Sequence, residues 1–216
     1  MSTRSTFLES AAAARSLLAD PVVAVRWNEP SSLEAMTVGA LAGHLLRSVT
    51  TVAGYLAEPT AGLDNLIDPA GYVLSIDGLS SADGPDLDSE LHQAIRRRAA
   101  DEAQGGPGQV LTRWDEAIEE LSGRLATEPP TRAVRVLDGR AMLVDDYLVT
   151  RLTELLIHAD DLAVSVGTGT PGFPDAAWQR VTDTLVEVAV RRHGPLAVVR
   201  AMTRTERDAV RALRVL

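Results

Sequence analysis

Cysteine is absent from the 216 residues. Disulfides and thiolate metal sites are thereby excluded, and any thiol used in chemistry must come from a ligand. Aromatic residues are scarce, at 4%, too few to build platforms on which nucleic-acid bases stack. Positive charge is in deficit: 21 Lys and Arg face 30 Asp and Glu, a net charge of -9. A surface of that sign repels phosphate and serves solubility, so no nucleic-acid partner is expected. Long apolar runs are missing too. No window approaches the roughly 18 unbroken apolar residues of a membrane span. Glu9 and Arg15 interrupt the N-terminal apolar stretch, unlike a signal peptide. These absences predict a cytoplasmic protein with no membrane partner.

What is present is aliphatic. Apolar residues make up 45%, largely Ala, Leu and Val, enough to bury a substantial core. No internal repeat or linker divides the chain, so residues 1–216 read as one all-α domain. Thr6-Phe7-Leu8-Glu9 has the form of a capping box, and a helix follows to about Asp20, with Phe7, Ala11, Ala14, Leu17 and Leu18 inward. Pro21 ends it. Thr37 caps a second helix that runs to Glu58, with Val38, Leu41, Leu45, Val49 and Val52 at helical spacing. His44 sits in its middle among small residues; alone it reads as a core histidine bonded to a backbone carbonyl.

Residues 60–87 read as a long irregular loop. Helical pattern resumes from Asp88 to Gln104 and, after the break at Gly105-Gly106-Pro107-Gly108, from Val110 to Ala126. Ala133 to Leu137, the turn signal Asp138-Gly139 and Ala141 to Val144 predict a hairpin leaning on the helices. Asp175 to Arg192 forms another helix, with Trp178, Val181, Leu185 and Val188 inward. Thr203-Arg204-Thr205-Glu206 opens a short last one.

The stretch from Asp145 to Gly167 organises the rest. It reads as a long helix capped by Asp145 or Asp146 and stopped by Gly167. Through its leucines runs a polar line of Tyr147, Arg151, Glu154, His158, Asp161 and Ser165, one side chain per turn on one face. Glu154 and His158 stand four apart, so a carboxylate oxygen and an imidazole nitrogen can converge as two ligands of one metal. The same spacing also describes an ordinary solvated stripe.

Several segments together decide between these readings. Met36-Thr37-Val38-Gly39-Ala40-Leu41-Ala42-Gly43-His44-Leu45 resembles the second-helix signature of the DinB-like superfamily. More closely it resembles the actinobacterial mycothiol-dependent maleylpyruvate isomerase family. Arg151, Glu154, His158 and Asp161-Leu162 resemble that family's R-x-x-E-x-x-x-H-x-x-D-L helix. The resemblance implies a DinB-like bundle of four main helices with a small β-hairpin and extra C-terminal helices. It implies one divalent metal held by His44, Glu154 and His158, with mycothiol or a similar thiol as cosubstrate. Two imidazoles and a carboxylate suit Zn²⁺ and leave a coordination position open; Ni²⁺ and Fe²⁺ accept the same donors. A metal there lowers the pKa of a bound thiol or water.

The expected activity is a thiol S-transferase or isomerase acting on an electrophilic small molecule. Arg151 and Asp161, one turn to either side of the ligands, are its candidate catalytic residues, Asp161 orienting an imidazole and Arg151 pairing with a carboxylate. A metal-dependent hydrolase and a non-catalytic metal-binding regulator use the same ligands. The sequence leaves a homodimer open.

Overall fold

The computed structural model describes residues 1–76, 88–136, 139–204, 206, 209–213 and 215. Four long helices make the frame: α1 (Thr3–Leu18), α3 (Val38–Ala57), α6 (Gly106–Thr127) and α7 (Val144–Val166). Between and after them lie α2 (Pro21–Val25), α4 (Pro69–Ser75), α5 (Glu90–Glu102), α8 (Asp175–His193), α9 (Pro195–Thr203) and α10 (Ala209–Leu213). The architecture is all-α and DinB-like. α3 packs against α5, α6 and α7, and α1 against α6 and α7. The apolar stripes of these helices meet in one core, in which Phe7, Leu41, Leu45, Trp114, Leu121, Leu148, Leu152 and Leu155 are almost wholly buried.

The two strands, β1 (Ala133–Arg135) and β2 (Ala141–Leu143), pair antiparallel with Val134 opposite Met142. Both of these side chains join the helical core, the support that a two-stranded ribbon requires. Gly139 takes the left-handed conformation that a hairpin turn needs (φ 82°). Leu137 and Asp138 of the expected hairpin lie outside the described residues.

Several boundaries differ from expectation. α1 begins a turn early, because Ser2 rather than Thr6 caps it, accepting from the Ser5 amide at 3.1 Å. Pro21 does not merely end α1; it occupies the first turn of α2, where its missing N–H costs nothing. α6 starts at Gly106 and absorbs Pro107 in its first turn in the same way. α7 starts after Leu143 with no side-chain cap, and Asp145 and Asp146 lie in its first turn, where carboxylates favour the helix dipole. Residues 60–76 are not wholly irregular: Asp68 caps α4 through the Gly71 amide at 2.7 Å. The rest of that expected loop, 77–87, is outside the described residues. Trp178 is 42% exposed rather than inward. Thr203 ends α9 instead of opening the last helix, and Thr205 of that expected box lies outside the described residues.

Candidate metal centre

Two helices carry the site, and glycine sets the position of the first. Thr37 caps α3, its hydroxyl accepting from the Ala40 amide at 3.1 Å. A Cβ at Gly39 would come within 2.6 Å of the Trp27 indole. A Cβ at Gly43 would collide with the Ala99 carbonyl and reach 2.8 Å from the Ala103 nitrogen. α5 therefore lies directly on the turn of α3 that precedes His44. The polar side chains of α3 recur at helical spacing: His44, Ser48, Thr51 and Tyr55. They face the polar line of α7. Tyr147 donates its hydroxyl to Thr51 at 3.3 Å, and His158 meets His44. The first half of that line is interior rather than a solvated face, for Tyr147 is 2% and Arg151 9% exposed, while Glu154, His158, Asp161 and Ser165 are partly open to solvent.

The structure brings His44, Glu154 and His158 together. The Nε2 atoms of the two histidines are 3.1 Å apart. Glu154 Oε2 is 3.4 Å from His44 Nε2 and 3.3 Å from His158 Nε2. Tetrahedral coordination at about 2.0–2.1 Å requires donor separations of about 3.3–3.4 Å, so this triangle matches a bound metal in size as well as in donor type. Among the described residues it is the group of His and carboxylate side chains close enough to hold an ion. Behind it, His158 Nδ1 and Asp161 Oδ2 are 3.0 Å apart. A carboxylate there keeps a proton on Nδ1 and makes Nε2 the nitrogen that a metal would take. His44 Nδ1 is buried without a hydrogen-bond partner among the described residues, which give this imidazole no equivalent support. The Asp161 carbonyl accepts from the hydroxyls of Ser165 (2.6 Å) and Ser32 (2.9 Å), tying the loop before α3 to the same turn.

The charges are strongly coupled. Burial, together with the neighbouring His158 charge, pushes the His44 pKa below its ordinary value, against the pull of Glu154. Although burial disfavours its charge, hydrogen bonds to His158 and His44 and the Arg151 guanidinium hold Glu154 well below the usual carboxylate range. For His158, burial is outweighed by Asp161 and Glu154, and its pKa rises to about 9.

Arg151 lies one turn along α7. Its Nη2 is 3.8 Å from Glu154 Oε1, its Nε donates to Thr150 Oγ1 at 3.2 Å, and its carbon centre sits 5.0 Å from the Tyr147 ring centroid. Tyr55 and Tyr72 pack edge-on to Tyr147, with centroids 5.1 and 6.3 Å away. All three tyrosines of the chain thus gather beside Arg151. Burial raises the Tyr72 pKa to about 12, so its hydroxyl keeps its proton. Sequence reasoning missed Tyr55 and Tyr72. The 4-3-4 spacing from His44 to Tyr55 could have revealed the first; nothing in the short α4 pointed to the second.

Fold and site together define a helical bundle with a His–Glu–His donor set on its two central helices. The pattern of the mycothiol maleylpyruvate isomerase N-terminal domain matches residues 7–163, and the chain belongs to that family. Its fold is similar to the crystal structure of the mycothiol-dependent maleylpyruvate isomerase, with a TM-score of 0.53 and 14% identity over 91% of this chain and 75% of that chain. A histidine-to-alanine mutant of that enzyme aligns over 88% of this chain and 72% of its own, with a TM-score of 0.50 and 14% identity. At such identity the likeness is one of fold. No curated protein matches the chain. No helix among the described residues is long and apolar enough to cross a membrane.

Proposed function

We propose that this protein, as a single domain over residues 1–216, is a metal-dependent cytoplasmic enzyme that uses mycothiol or a similar small thiol as S-transferase or isomerase. The observation that carries this reading is the triangle of His44 Nε2, Glu154 Oε2 and His158 Nε2, with sides of 3.1–3.4 Å, in a chain of this family. His44, Glu154 and His158 would hold the metal, Zn²⁺ suiting the donors best, with Ni²⁺ or Fe²⁺ compatible. Bound there with a position open, it would supply a deprotonated thiol near neutral pH.

The chain's own residues prepare that chemistry. Asp161 orients His158 through Nδ1. Glu154 stays ionised beside two imidazoles, and the lowered pKa of His44 keeps its ring neutral and its lone pair free. Arg151 places a permanent positive charge against Glu154 and the space beside it. In a transferase the thiol gives up its proton and its sulfur bonds to an electrophilic carbon, and either a leaving group departs with its bonding pair or, at a polarised double bond, the neighbouring carbon takes up a proton. In an isomerase the sulfur adds, the bond loses its double character and rotates, and the sulfur leaves again. The absence of Cys agrees with a borrowed thiol.

The test is metal-loaded protein incubated with a bimane or a maleate-like acid, with and without mycothiol, the adduct or isomer being followed by chromatography. Turnover is expected only with the thiol, and not in His158→Ala. Equal turnover without thiol would instead indicate a hydrolase.

A further inference from the structure

The helix α9 is apolar on two sides. Its inward side chain, Val198, is 3% exposed and joins a small second core with Ala70 and Val73 of α4 and Val188 and Ala189 of α8. The outer side of a surface helix is ordinarily polar. Here it carries Leu196, Val199 and Met202, at 60%, 56% and 55% exposure. Spaced three apart, they share one face. Arg200 borders that face, one turn after Leu196, and Arg204 caps the helix end; both are exposed. Among the described residues neither pairs with a carboxylate, whereas Arg191 is held by Asp68 and Glu187. The chain is also bipolar in charge. Residues 188–216 carry seven arginines against two carboxylates, Glu206 and Asp208, while the first 187 carry 14 arginines against 28. Cations at a helix C-terminus oppose its dipole, which accounts for the arginines but not for the apolar face beside them.

We propose that α9 docks on an anionic lipid surface, with Leu196, Val199 and Met202 entering the boundary between headgroups and acyl chains and Arg200 and Arg204 reaching the phosphates. A helix lying on a bilayer buries an apolar face about 5–10 Å deep and holds cations at its flank. An arginine stem follows apolar surface while its planar fork meets a phosphate through two hydrogen bonds. Attraction to a charged surface decays within about 8 Å at physiological ionic strength, so the cations beside the apolar face count for more than the net charge of the chain. The face of a nine-residue helix falls far short of the roughly 800 Å² per partner that a stable protein interface buries. A second copy would need matching surface around it; a bilayer is flat and needs none. The contact is peripheral, for no helix among the described residues is long and apolar enough to cross a membrane. It goes beyond the reaction centre, since α9 packs mainly on α8 and α10.

The test is co-sedimentation of the full chain with two kinds of vesicle, pure phosphatidylcholine and an equal mixture of phosphatidylcholine and phosphatidylglycerol. The protein should bind the anionic vesicles about tenfold or more tightly than the neutral ones, and salt at about 0.5 M should remove most of that preference. Arg200→Gln/Arg204→Gln should weaken anionic binding about tenfold and bring the two lipids closer together. Leu196→Ser/Val199→Ser/Met202→Ser should weaken binding to both, again about tenfold or more. No binding to anionic vesicles, equal binding to neutral ones, or either folded variant binding like the parent would overturn the proposal. Should the serine variant not fold, the glutamine variant decides alone. Sedimentation velocity without lipid is run alongside. Self-association that the serine variant abolishes, with no vesicle binding by the parent, would assign the face to a second copy and overturn the lipid reading. Because no arm involves metal or thiol, failure here leaves the reading of the triad standing.

Discussion

Two regions of the bundle bury arginine near carboxylates, and they treat its donors in opposite ways. At the C-terminal ends of α3 and α6, Arg132 is 7% exposed. It donates to the Leu56 and Glu58 carbonyls at 3.2 and 2.6 Å and faces Glu128 at 3.3 Å. Arg124 reaches the same Leu56 carbonyl. Arg4 donates to the Leu125 and Glu128 carbonyls at 2.8 and 2.6 Å and to Asp145 at 2.6 Å. These are the carbonyls that helix ends leave without partners, and cations there also oppose the helix dipole. At the centre, the terminal nitrogens of Arg151, His44 Nδ1 and the Tyr55 and Tyr72 hydroxyls have no such partner among the described residues. Satisfied polar clusters hold a fold together. Unsatisfied ones are kept at a cost in stability, and a ligand is the usual reason.

The comparison is broken most directly at the triad. His158→Ala removes one of three donors, and metal affinity should fall by about a thousandfold, roughly 4 kcal/mol, as read by competition titration with a chromogenic chelator. The thermal midpoint of the metal-free protein should fall only modestly, since Asp161 and Glu154 lose a partner but both retain contact with solvent. A collapse of the metal-free fold would show that the triad is structural and erase the contrast.

Arg132→Ala is the mirror experiment. It takes the donor from the Glu58 carbonyl, leaves the Leu56 carbonyl to Arg124 alone and deprives Glu128 of its nearer cation, so stability should drop by about 2 kcal/mol in urea unfolding. Metal affinity of the folded fraction should not change. A variant that unfolds normally but binds metal less well would mean that the two regions are coupled.

The sequence told more about α3 and α7 than about anything else, for a physical reason. Both helices are long, with apolar residues at strict helical spacing and a cap or a left-handed glycine at an end, Thr37 for α3 and Gly167 for α7. That His44, Glu154 and His158 converge was legible from the resemblance of their segments to a known family, and the contact of Asp161 with His158 from their spacing of three. What was not legible is short or depends on distant contacts. α4 and α9 span seven and nine residues, too few for a period, and depend on packing against α8. Ser2 outcompetes Thr6 as a cap although both have the right chemistry, and only the position of the first turn distinguishes them. Whether a polar stripe faces water or another helix cannot be read from one helix. Tyr147 and Arg151 are interior because α3 presents Thr51 and Tyr55 to them.

A smaller effect sharpens the picture of the triad itself. Asp161 touches no donor position directly, but it holds His158 through Nδ1 at 3.0 Å. Asp161→Ala should lower metal affinity about 10–100-fold, roughly 1.4–2.8 kcal/mol. Asp161→Asn, which keeps a hydrogen-bonding group, should lose less. If both variants bind metal like the parent protein, Asp161 is only a partner of the Ser32 loop, reached through its backbone.

The smallest expected effect lies outside both regions, and it tests whether a satisfied pair is structural even when wet. Asp68 caps α4, which carries Tyr72, and grips Arg191 of α8 through two bonds of 2.9 and 2.6 Å. The Arg191 hydrogen bonds outweigh the desolvation of burial and hold the Asp68 pKa below its ordinary 3.8. The pair is about half exposed, with side chains 38% and 49% accessible, so solvent screens most of its attraction and about 0.5–1 kcal/mol remains. Asp68→Asn keeps a capping side chain and removes only the charge. A carboxylate with a depressed folded-state pKa stabilises fully above its unfolded value and loses that contribution as pH falls through the folded one. Parent and variant should therefore differ by about 0.5–1 kcal/mol at pH 7 and converge below pH 3.8, with equal metal affinity at neutral pH. Salt at about 1 M should shrink the neutral-pH gap as well. A gap that persists undiminished in acid would mean that the asparagine caps α4 poorly, and a drop in metal affinity would mean that α4 positions the centre after all.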